Sequence, residues 1–375
     1  MTSDRLNRRS FVKGSAALGA AIAVAGNVSL GALAQDATPA VPNVGPLKVG
    51  WSTIYTTPSW MTETQKELED EVKRLTGLGM TIDFKVFDAN GDTATQIAQI
   101  QTMIDQKYDI CLLIAGSATA LDQVVEKANA AGVIVVNWDS LVTTDKLTAK
   151  VFEDQEKWGE ITAKWLVDKL GGKGNILAIN GPAGIAVSEA RWSGAKKVFD
   201  ANPDIKIVGT ANIEYNEAPA LTELQSLLAA HPDVNGIWCQ AGAHASAALK
   251  TVQQMGLKLI PITGENFNAF LKQWCQLKDE GFSSFSTAEV NYMAVISLDL
   301  AIKAKAGQAV PHQVVVPLPE ITDDNVCDWA NDKLPDDWYS IPQIPSPAEI
   351  DKLIADALAV EQSGGTPVAV ASPAS

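Results

Sequence analysis

Two side chains occupy positions where a parallel sheet could present them to a small molecule. Asp139 directly follows the apolar run 133–138, and Trp60 begins a helical stretch just after Pro58 and Ser59. A carboxylate accepts hydrogen bonds from hydroxyl or ammonium groups, and an indole ring packs against an apolar or cationic face. Asp139 could instead be a plain turn residue and Trp60 a core residue, but their positions favour binding.

Residues suited to catalysis or metal binding do not form a pattern. His231, His244 and His312 lie far apart in sequence, and none has an evident nucleophile as a partner. The chain has no G-x-S-x-G, Walker or H-E-x-x-H motif, and the loop 52–59 lacks the glycines of dinucleotide-binding enzymes. The glycine-rich run 171–174 precedes a strand, which indicates a helix-ending turn. We therefore expect no enzymatic activity, no metal and no cofactor.

The four cysteines divide into two kinds. Cys111 and Cys239 lie in apolar runs and are expected to be buried thiols. Cys275 and Cys327 lie in polar surroundings that contain tryptophan, so they could pair in an oxidising compartment. Spacing alone does not decide whether this disulfide forms.

The N-terminus carries the pattern of an export signal. Residues 7–13 read NRRSFVK, close to the twin-arginine signal, and a stretch of small and apolar residues runs from 14 to 34. It ends in Ala-Leu-Ala at 32–34, the pattern of a signal-peptidase site, which favours a cleaved signal over a membrane anchor. We expect export by the twin-arginine route to the periplasm or another extracytoplasmic part of the cell envelope, with the mature chain starting near Gln35.

The charge balance excludes two classes of partner. The whole chain has a formal charge of −15, and removal of residues 1–34 leaves 25 basic and 43 acidic residues, or −18. A chain this acidic repels phosphate backbones and anionic lipid, so nucleic acid and membrane surfaces are poor partners. No second apolar run approaches the roughly 18 residues that a membrane span requires.

The rest of the chain alternates between short apolar strands and amphipathic helices. The predicted strands are 47–55, 81–88, 109–115, 133–138, 175–180, 205–211, 236–239, 258–263 and 282–287. Between them, apolar residues recur at helical spacing, as in Met61, Thr64, Leu68, Val72 and Leu75. Wholly apolar strands followed by such helices predict parallel sheets covered on both faces, a doubly wound α/β fold with enough elements for two sheets.

An internal repeat supports two similar halves. Residues 129–136 and 253–260 each read as a helix end, a glycine and then a buried strand. Beyond residue 317 the alternation fades, and only one short helix is predicted, at 348–360. The tail 362–375 is rich in Gly, Ser, Pro and Ala and is expected to be disordered.

The order of these marks resembles the type I periplasmic binding proteins of sugar ABC transporters, the ribose- and galactose-binding group. The resemblance runs from about 47 to 325 and rests on short motifs at fixed places along the chain. They are Ser-Thr-Ile at 52–54, Pro-Ser-Trp at 58–60, Asp-Ala-Asn at 88–90, Trp-Asp at 138–139, Ala-His-Pro-Asp-Val at 230–234, Gly-Glu-Asn at 264–266 and Val-Pro at 310–311.

The resemblance implies two Rossmann-like lobes joined by three hinge segments, with a ligand held in the cleft between them. It places the signal peptide at 1–34, the first lobe at 46–151 plus 289–312, the second at 152–288 plus 313–325, and an extension with its disordered tail at 326–375. The implied function is capture of a small sugar or polyol by a monomer that delivers it to a membrane permease. A receptor that presents a signalling molecule to a membrane sensor has the same fold and remains an alternative.

The resemblance also implies ligand-binding positions. These are Thr57, Trp60, Asp92, Asp139, Glu189, Tyr215, Asn266 and Glu289. Among them, Glu189 falls near an expected arginine, although Arg191 is two residues away. The family's arginine after Asp139 is Ser140 here.

These departures leave a cleft that is more acidic than a hexose or pentose site. The usual Asn-Asp pair after the strand 236–239 is also missing, and Gln240-Ala241-Gly242 stands there. Two explanations are open: a neutral sugar or polyol bound without arginine, or a cationic solute held by carboxylates and aromatic faces. We favour the sugar or polyol.

Overall fold

The computed structural model describes residues 42–57 and 59–366, so the export signal and residues 367–375 of the predicted tail lie outside the described residues. Its strands are β1 (Leu47–Thr53), β2 (Ile82–Asp88), β3 (Ile110–Leu113), β4 (Ile134–Trp138), β5 (Ala149–Glu153), β6 (Gly174–Asn180), β7 (Ile205–Asn212), β8 (Gly236–Cys239), β9 (Ile262–Gly264), β10 (Ser284–Thr287), β11 (Gln313–Val316) and β12 (Glu320–Ile321). Its helices are α1 (Ser59–Gly77), α2 (Thr93–Asp105), α3 (Asp122–Ala130), α4 (Gln155–Lys169), α5 (Ala186–Asp200), α6 (Glu217–Ala230), α7 (Gly242–Gln254), α8 (Asn268–Leu277), α9 (Met293–Lys305), α10 (Val326–Trp329) and α11 (Pro347–Gln362).

Across the described ranges these strands form two six-stranded sheets, in the orders β11-β5-β4-β3-β1-β2 and β12-β10-β9-β8-β6-β7. Neighbouring strands are parallel, except that β10 and β12 are antiparallel. The first sheet and its helices form the first lobe, and the second sheet and its helices form the second. The predicted doubly wound α/β fold with two lobes is confirmed.

The strands are apolar throughout because helices cover both faces of each sheet. In β3, Ile110 and Leu112 belong to one core cluster, whereas Cys111 and Leu113 belong to another. Side chains alternate between the faces of a strand, so one short apolar run supplies both cores. The same alternation occurs in β6, and its fully buried residues fix the register of the central strands.

The chain crosses between the sheets at three places, after β5, after β10 and between β11 and β12. The last crossing lies later than expected. Residues 313–316 were assigned to the second lobe, but β11 pairs with β5 in the first sheet, with Gln313 opposite Lys150. Val314 and Val316 are fully buried there, which explains why this run completes the first core.

The predicted repeat corresponds to two helix ends of the same kind. Gly132 follows α3 with φ 85° and Gly256 follows α7 with φ 66°, a left-handed conformation that glycine adopts without strain. The second strand of the repeat is shorter than expected, since β9 begins only at Ile262. Pro261 directly before it has no N–H to donate to a neighbouring strand.

No helix among the described residues is long and apolar enough to cross a membrane. The C-terminal helix extends from Pro347 to Gln362, slightly beyond the predicted 348–360. A capping box formed by Ser346 and Glu349 fixes its first turn.

Cys275 and Cys327 form a disulfide with a Cα–Cα distance of 5.1 Å, which joins α8 to the chain after β12. Cys111 and Cys239 are buried free thiols, as expected. Replacing both bridging cysteines by serine is expected to lower the free energy of unfolding by about 2–4 kcal/mol, because the bridge restricts the unfolded chain. Urea unfolding of the double variant measures this, and a change below about 0.5 kcal/mol would show that the bridge does not stabilise the fold.

Candidate functional site

A cleft lies beyond the carboxyl ends of strands from both sheets. It encloses about 680 Å³, part of it open to solvent. The first lobe contributes residues after β1, β3 and β4, and the second contributes residues after β6, β7 and β9. Both sheets point their strand ends and helix N-termini at this space, the usual place for a ligand in an open α/β sheet.

Arg191, on the first half of α5, is the basic group of the cleft. Its guanidinium is buried and forms ion pairs with Glu265, which follows β9, and Glu289, which follows β10. It also donates from Nε to Gln155 Oε1 at 2.7 Å and from Nη1 to the Gln240 carbonyl at 2.8 Å. Because most of its N–H groups donate to protein acceptors, few of them remain free to hydrogen-bond a ligand.

Packing and charge hold this cluster in place. The guanidinium lies over the buried ring of Trp158, with Cζ 4.3 Å from the ring centroid. Burial lowers the pKa of Arg191, but the charges of Glu265 and Glu289 outweigh burial and raise it. Burial raises the pKa of Glu265, which Arg191 partly offsets. The guanidinium therefore stays charged, and its positive charge offsets the cost of burying the carboxylates around it.

Asp139 is a third carboxylate of the cleft, and no basic side chain of the described residues forms an ion pair with it. Its backbone is left-handed, with φ 57°, a conformation that Asp tolerates better than most residues. Burial and then the charge of Glu289 raise the pKa of Asp139 well above its ordinary range. A ligand that donates hydrogen bonds would relieve this unfavourable charge.

Aromatic rings form the walls. Trp60, from α1, packs on Trp138 with centroids 6.0 Å apart and donates from Nε1 to the Glu289 carbonyl at 3.3 Å. Tyr215, after β7, stacks on His244, and its hydroxyl is buried without a hydrogen-bond partner among the described residues. Tyr55, after β1, also lines the cleft, and burial raises its pKa to about 12.

Of the eight positions predicted from the sequence, four line the cleft together: Trp60, Asp139, Tyr215 and Glu289. They come from both lobes and from the crossing after β10. Trp60 is also only 8% exposed and belongs to a core cluster, so the same side chain both packs in the core and lines the cleft.

The other four positions lie elsewhere. Thr57 is exposed outside the cleft lining, and Asp92 is the N-cap of α2, accepting from the backbone N–H groups of Ala94 and Thr95. Glu189 is exposed and accepts a hydrogen bond from the Gly184 backbone.

Asn266 is buried behind the cleft. It accepts from the Glu289 backbone at 3.0 Å and donates to the Ser340 carbonyl at 3.2 Å, so it supports the site without lining it.

Four lining residues with charged or aromatic side chains were not predicted: Tyr55, Arg191, Glu265 and Tyr339. Arg191 is two residues from Glu189, which on a helix turns the side chain to the opposite face. Glu265 directly precedes the predicted residue Asn266, so the side chain that lines the cleft comes one position earlier. The cleft therefore contains an arginine, contrary to the expectation, but carboxylates still outnumber it.

Comparisons with known proteins agree with this geometry. Residues 49–309 match the model of the periplasmic binding protein domain, and residues 5–25 match that of the twin-arginine translocation pathway signal sequence, which confirms the predicted export route. The chain is 26% identical over 312 residues to a xylitol-binding protein of Mycolicibacterium smegmatis, covering 82% of this chain and 86% of the relative. It is 25% identical to a ribose import binding protein of Bacillus subtilis, covering 68% and 80%.

Solved structures share the fold. An ABC transporter solute-binding protein from Thermobispora bispora superposes with a TM-score of 0.73 at 22% identity, covering 88% of this chain and all of that one. A solute-binding protein from Bacillus halodurans with bound myo-inositol gives a TM-score of 0.68 at 18% identity, covering 76% and 98%. This chain belongs to the periplasmic binding protein domain family, whose members bind a solute and are not enzymes.

Proposed function

We propose that this protein captures a small sugar or polyol in the cleft between its lobes and delivers it to the membrane permease of an ABC transporter. The observation that carries the proposal is the pairing of carboxylates with aromatic rings in one enclosed space. Asp139 can accept hydrogen bonds from hydroxyl groups, while Trp60 and Tyr215 offer faces to C–H surfaces. The names of the relatives, which bind xylitol and ribose, point the same way.

The charges of the cleft narrow the ligand's chemistry. Among the described residues, three carboxyl groups, those of Asp139, Glu265 and Glu289, line the cleft together with one guanidinium, that of Arg191. Arg191 is engaged by protein acceptors, so the cleft is rich in acceptors and poor in free donors. Sugar acids and sugar phosphates would add a negative charge beside these carboxyl groups and would find few free donors for their own oxygens. The ligand should be neutral, or positively charged, and rich in hydrogen-bond donors.

A cationic small solute is the second candidate, and Asp139 is the observation that favours it. This carboxylate faces the cleft without an ion-pair partner among the described residues, next to the aromatic ring of Trp60. An ammonium group would pair with the carboxylate and lie against the ring. The two candidates differ in their dependence on salt, because only the cation loses affinity as ionic strength rises.

Delivery to a permease requires a change that the transporter can sense. The lobes are joined at three crossings, an arrangement that permits hinge closure around a ligand. We propose that the protein works as a monomer whose closed form docks on the permease. Reconstitution in liposomes with the permease of a sugar ABC transporter would test this step.

A thermal-shift panel tests ligand capture. Xylitol, ribose, allose, glucosamine and glucuronate would each be added to the mature protein. A bound neutral polyol or sugar at 100 times its Kd is expected to add about 2.7 kcal/mol to the free energy of unfolding. Glucuronate is expected to give no shift. Stabilisation by glucuronate alone would contradict the proposed ligand class, and stabilisation by glucosamine alone would favour the cation.

A further inference from the structure

A tyrosine from outside both sheets completes the wall of the cleft. Tyr339 lines the same space as Trp60, Asp139 and Arg191, although it lies in the C-terminal segment, residues 326–346, beyond the last strand. We propose that Tyr339 is a ligand-binding residue that hydrogen-bonds the solute and limits its size. The proposal rests on the proposed capture of a sugar or polyol in this cleft.

The hydroxyl of Tyr339 is available to a ligand. The side chain is 7% exposed, and the hydrogen bonds that Tyr339 makes to side chains of the described residues all use its backbone N–H and none uses its hydroxyl. Burial first, and then the charges of Glu265 and Glu63, raise its pKa, so the phenol stays protonated. A protonated phenol can donate to a ligand oxygen and accept from a ligand hydroxyl, which adds a donor to an acceptor-rich cleft.

The second lobe holds Tyr339 firmly. The backbone N–H of Ser340 donates to the Asn266 carbonyl at 2.7 Å, and that of Asn268 donates to the Trp338 carbonyl at 2.8 Å. The Tyr339 ring also packs edge-on against Phe267, with centroids 5.5 Å apart. Together with the disulfide at the start of the segment, these contacts make Tyr339 move with the second lobe.

Among the described residues, the hydrogen bonds between Tyr339 and the first lobe go to one carboxyl group. Its backbone N–H donates to both oxygens of Glu63 on α1, at 2.9 and 3.1 Å. Opening of the lobes would break this contact and carry the ring away from α1. Closure would bring it back, so the distance between the ring and the first-lobe wall sets how large an enclosed ligand can be.

Size selectivity separates this role from a merely structural one. A residue that only braces the segment would, when changed, weaken all ligands alike through the stability of the closed form. A residue that touches the ligand changes the relative affinity of small and large ligands. The ring of Tyr108 provides a matched control: it is 8% exposed and packs edge-on against Phe87, but lies within the first lobe away from the cleft.

The experiment measures the Kd of wild type, Tyr339→Phe, Tyr339→Ala and Tyr108→Phe for xylitol, ribose, allose and myo-inositol by titration calorimetry. Tyr339→Phe is expected to weaken the tightest of these about three- to tenfold, the value of one neutral hydrogen bond. Tyr339→Ala is expected to weaken the five-carbon probes by at least about tenfold while the six-carbon probes lose less. Tyr108→Phe should match wild type.

Two results would overturn the inference while leaving the proposed function standing. One is wild-type affinity for all four probes in both Tyr339 variants. The other is an equal loss for every probe in Tyr339→Ala with full affinity in Tyr339→Phe. If wild type binds none of the probes and none of the sugars in the thermal-shift panel, the proposed function fails and this inference fails with it.

Discussion

Replacing Arg191 by methionine is expected to lower the free energy of unfolding by about 3–5 kcal/mol and to abolish ligand binding. Methionine keeps much of the side-chain volume over Trp158 but removes the charge. Glu265 and Glu289, which are 3% and 6% exposed, would then be buried without their cation. Losing one partner of a buried ion pair is costly because the remaining charge cannot be solvated.

The control is the same substitution at Arg74, whose side chain is 40% exposed and pairs with Glu71 one helical turn away. Arg74→Met should change stability by no more than about 0.5 kcal/mol, because exposed ion pairs contribute little. Urea unfolding measures both variants. Nearly equal effects at the two arginines would show that the buried cluster does not depend on the charge of Arg191.

A triple variant identifies the cause of the loss. Adding Glu265→Gln and Glu289→Gln to Arg191→Met removes the two uncompensated charges while keeping their shapes. Stability should recover by a large part of the loss, although ligand binding should not return. If stability does not recover, the loss arises from packing against Trp158 and not from charge.

The central buried strands could be predicted from the sequence because each of them is apolar on both faces. Strands β5 and β11 lie side by side in the first sheet, and neither is among the predicted strands. Strand β5 shows why. It contains Lys150 and Glu153, which interrupt the apolar run, yet both are buried, at 6% and 1% exposed. Tertiary contacts decide such a strand: β5 pairs with β11, a partner far along the chain that no local pattern reveals.

The cleft residues were predictable where a strand end fixes the side chain. Asp139 follows β4 directly, so its register with Trp138 decides its direction, and it lines the cleft. Glu189 and Arg191 lie on a helix, where a shift of two residues reverses the face, and of these two only Arg191 lines the cleft. After β9 the sequence predicts Asn266 as the cleft residue, but Glu265 lines the cleft and Asn266 lies behind it. A hydrogen bond from the Glu289 backbone holds the Asn266 side chain there, and this partner is far away in sequence.

The position of Tyr339 in the cleft wall could not be predicted from the sequence. It lies outside the region of family resemblance, in a stretch of Pro, Asp and Trp without periodicity. Its place depends on hydrogen bonds from residues 266–269 and on the disulfide at Cys327, which join parts of the chain far apart in sequence. Contacts of this kind leave no local signal.

Replacing Asp139 by asparagine is expected to weaken ligand binding at least about tenfold, because a hydrogen bond to a charged acceptor is worth about 1.5–3 kcal/mol. Asparagine suits the test because it tolerates the left-handed backbone at this position, where alanine would add strain. Asp200→Asn, at an exposed residue paired with Lys196, is the control and should bind normally. Calorimetric titration with the tightest ligand of the panel measures the change.

The same variant should be more stable than wild type without ligand. Burial and Glu289 raise the pKa of Asp139, so the folded protein binds more protons than the unfolded chain between about pH 3.9 and that raised pKa. The stability that the raised pKa of Asp139 contributes is therefore fully present at acid pH and is lost as pH rises through this window. Asp139→Asn removes that loss, and the difference between the two unfolding curves should grow with pH.

In the wild-type protein, the affinity for a ligand should change with pH in the opposite direction to the stability of the free protein. A ligand that donates to Asp139 prefers the ionised carboxylate, so it lowers the pKa, releases protons, and binds more tightly as pH rises through the same window. If the ligand is a cation, its affinity should also fall with added salt, whereas a neutral polyol should show little dependence on salt. Binding that is independent of pH in both wild type and Asp139→Asn would mean that the carboxylate does not contact the ligand. In that case the unfavourable charge at residue 139 would need another explanation than ligand capture.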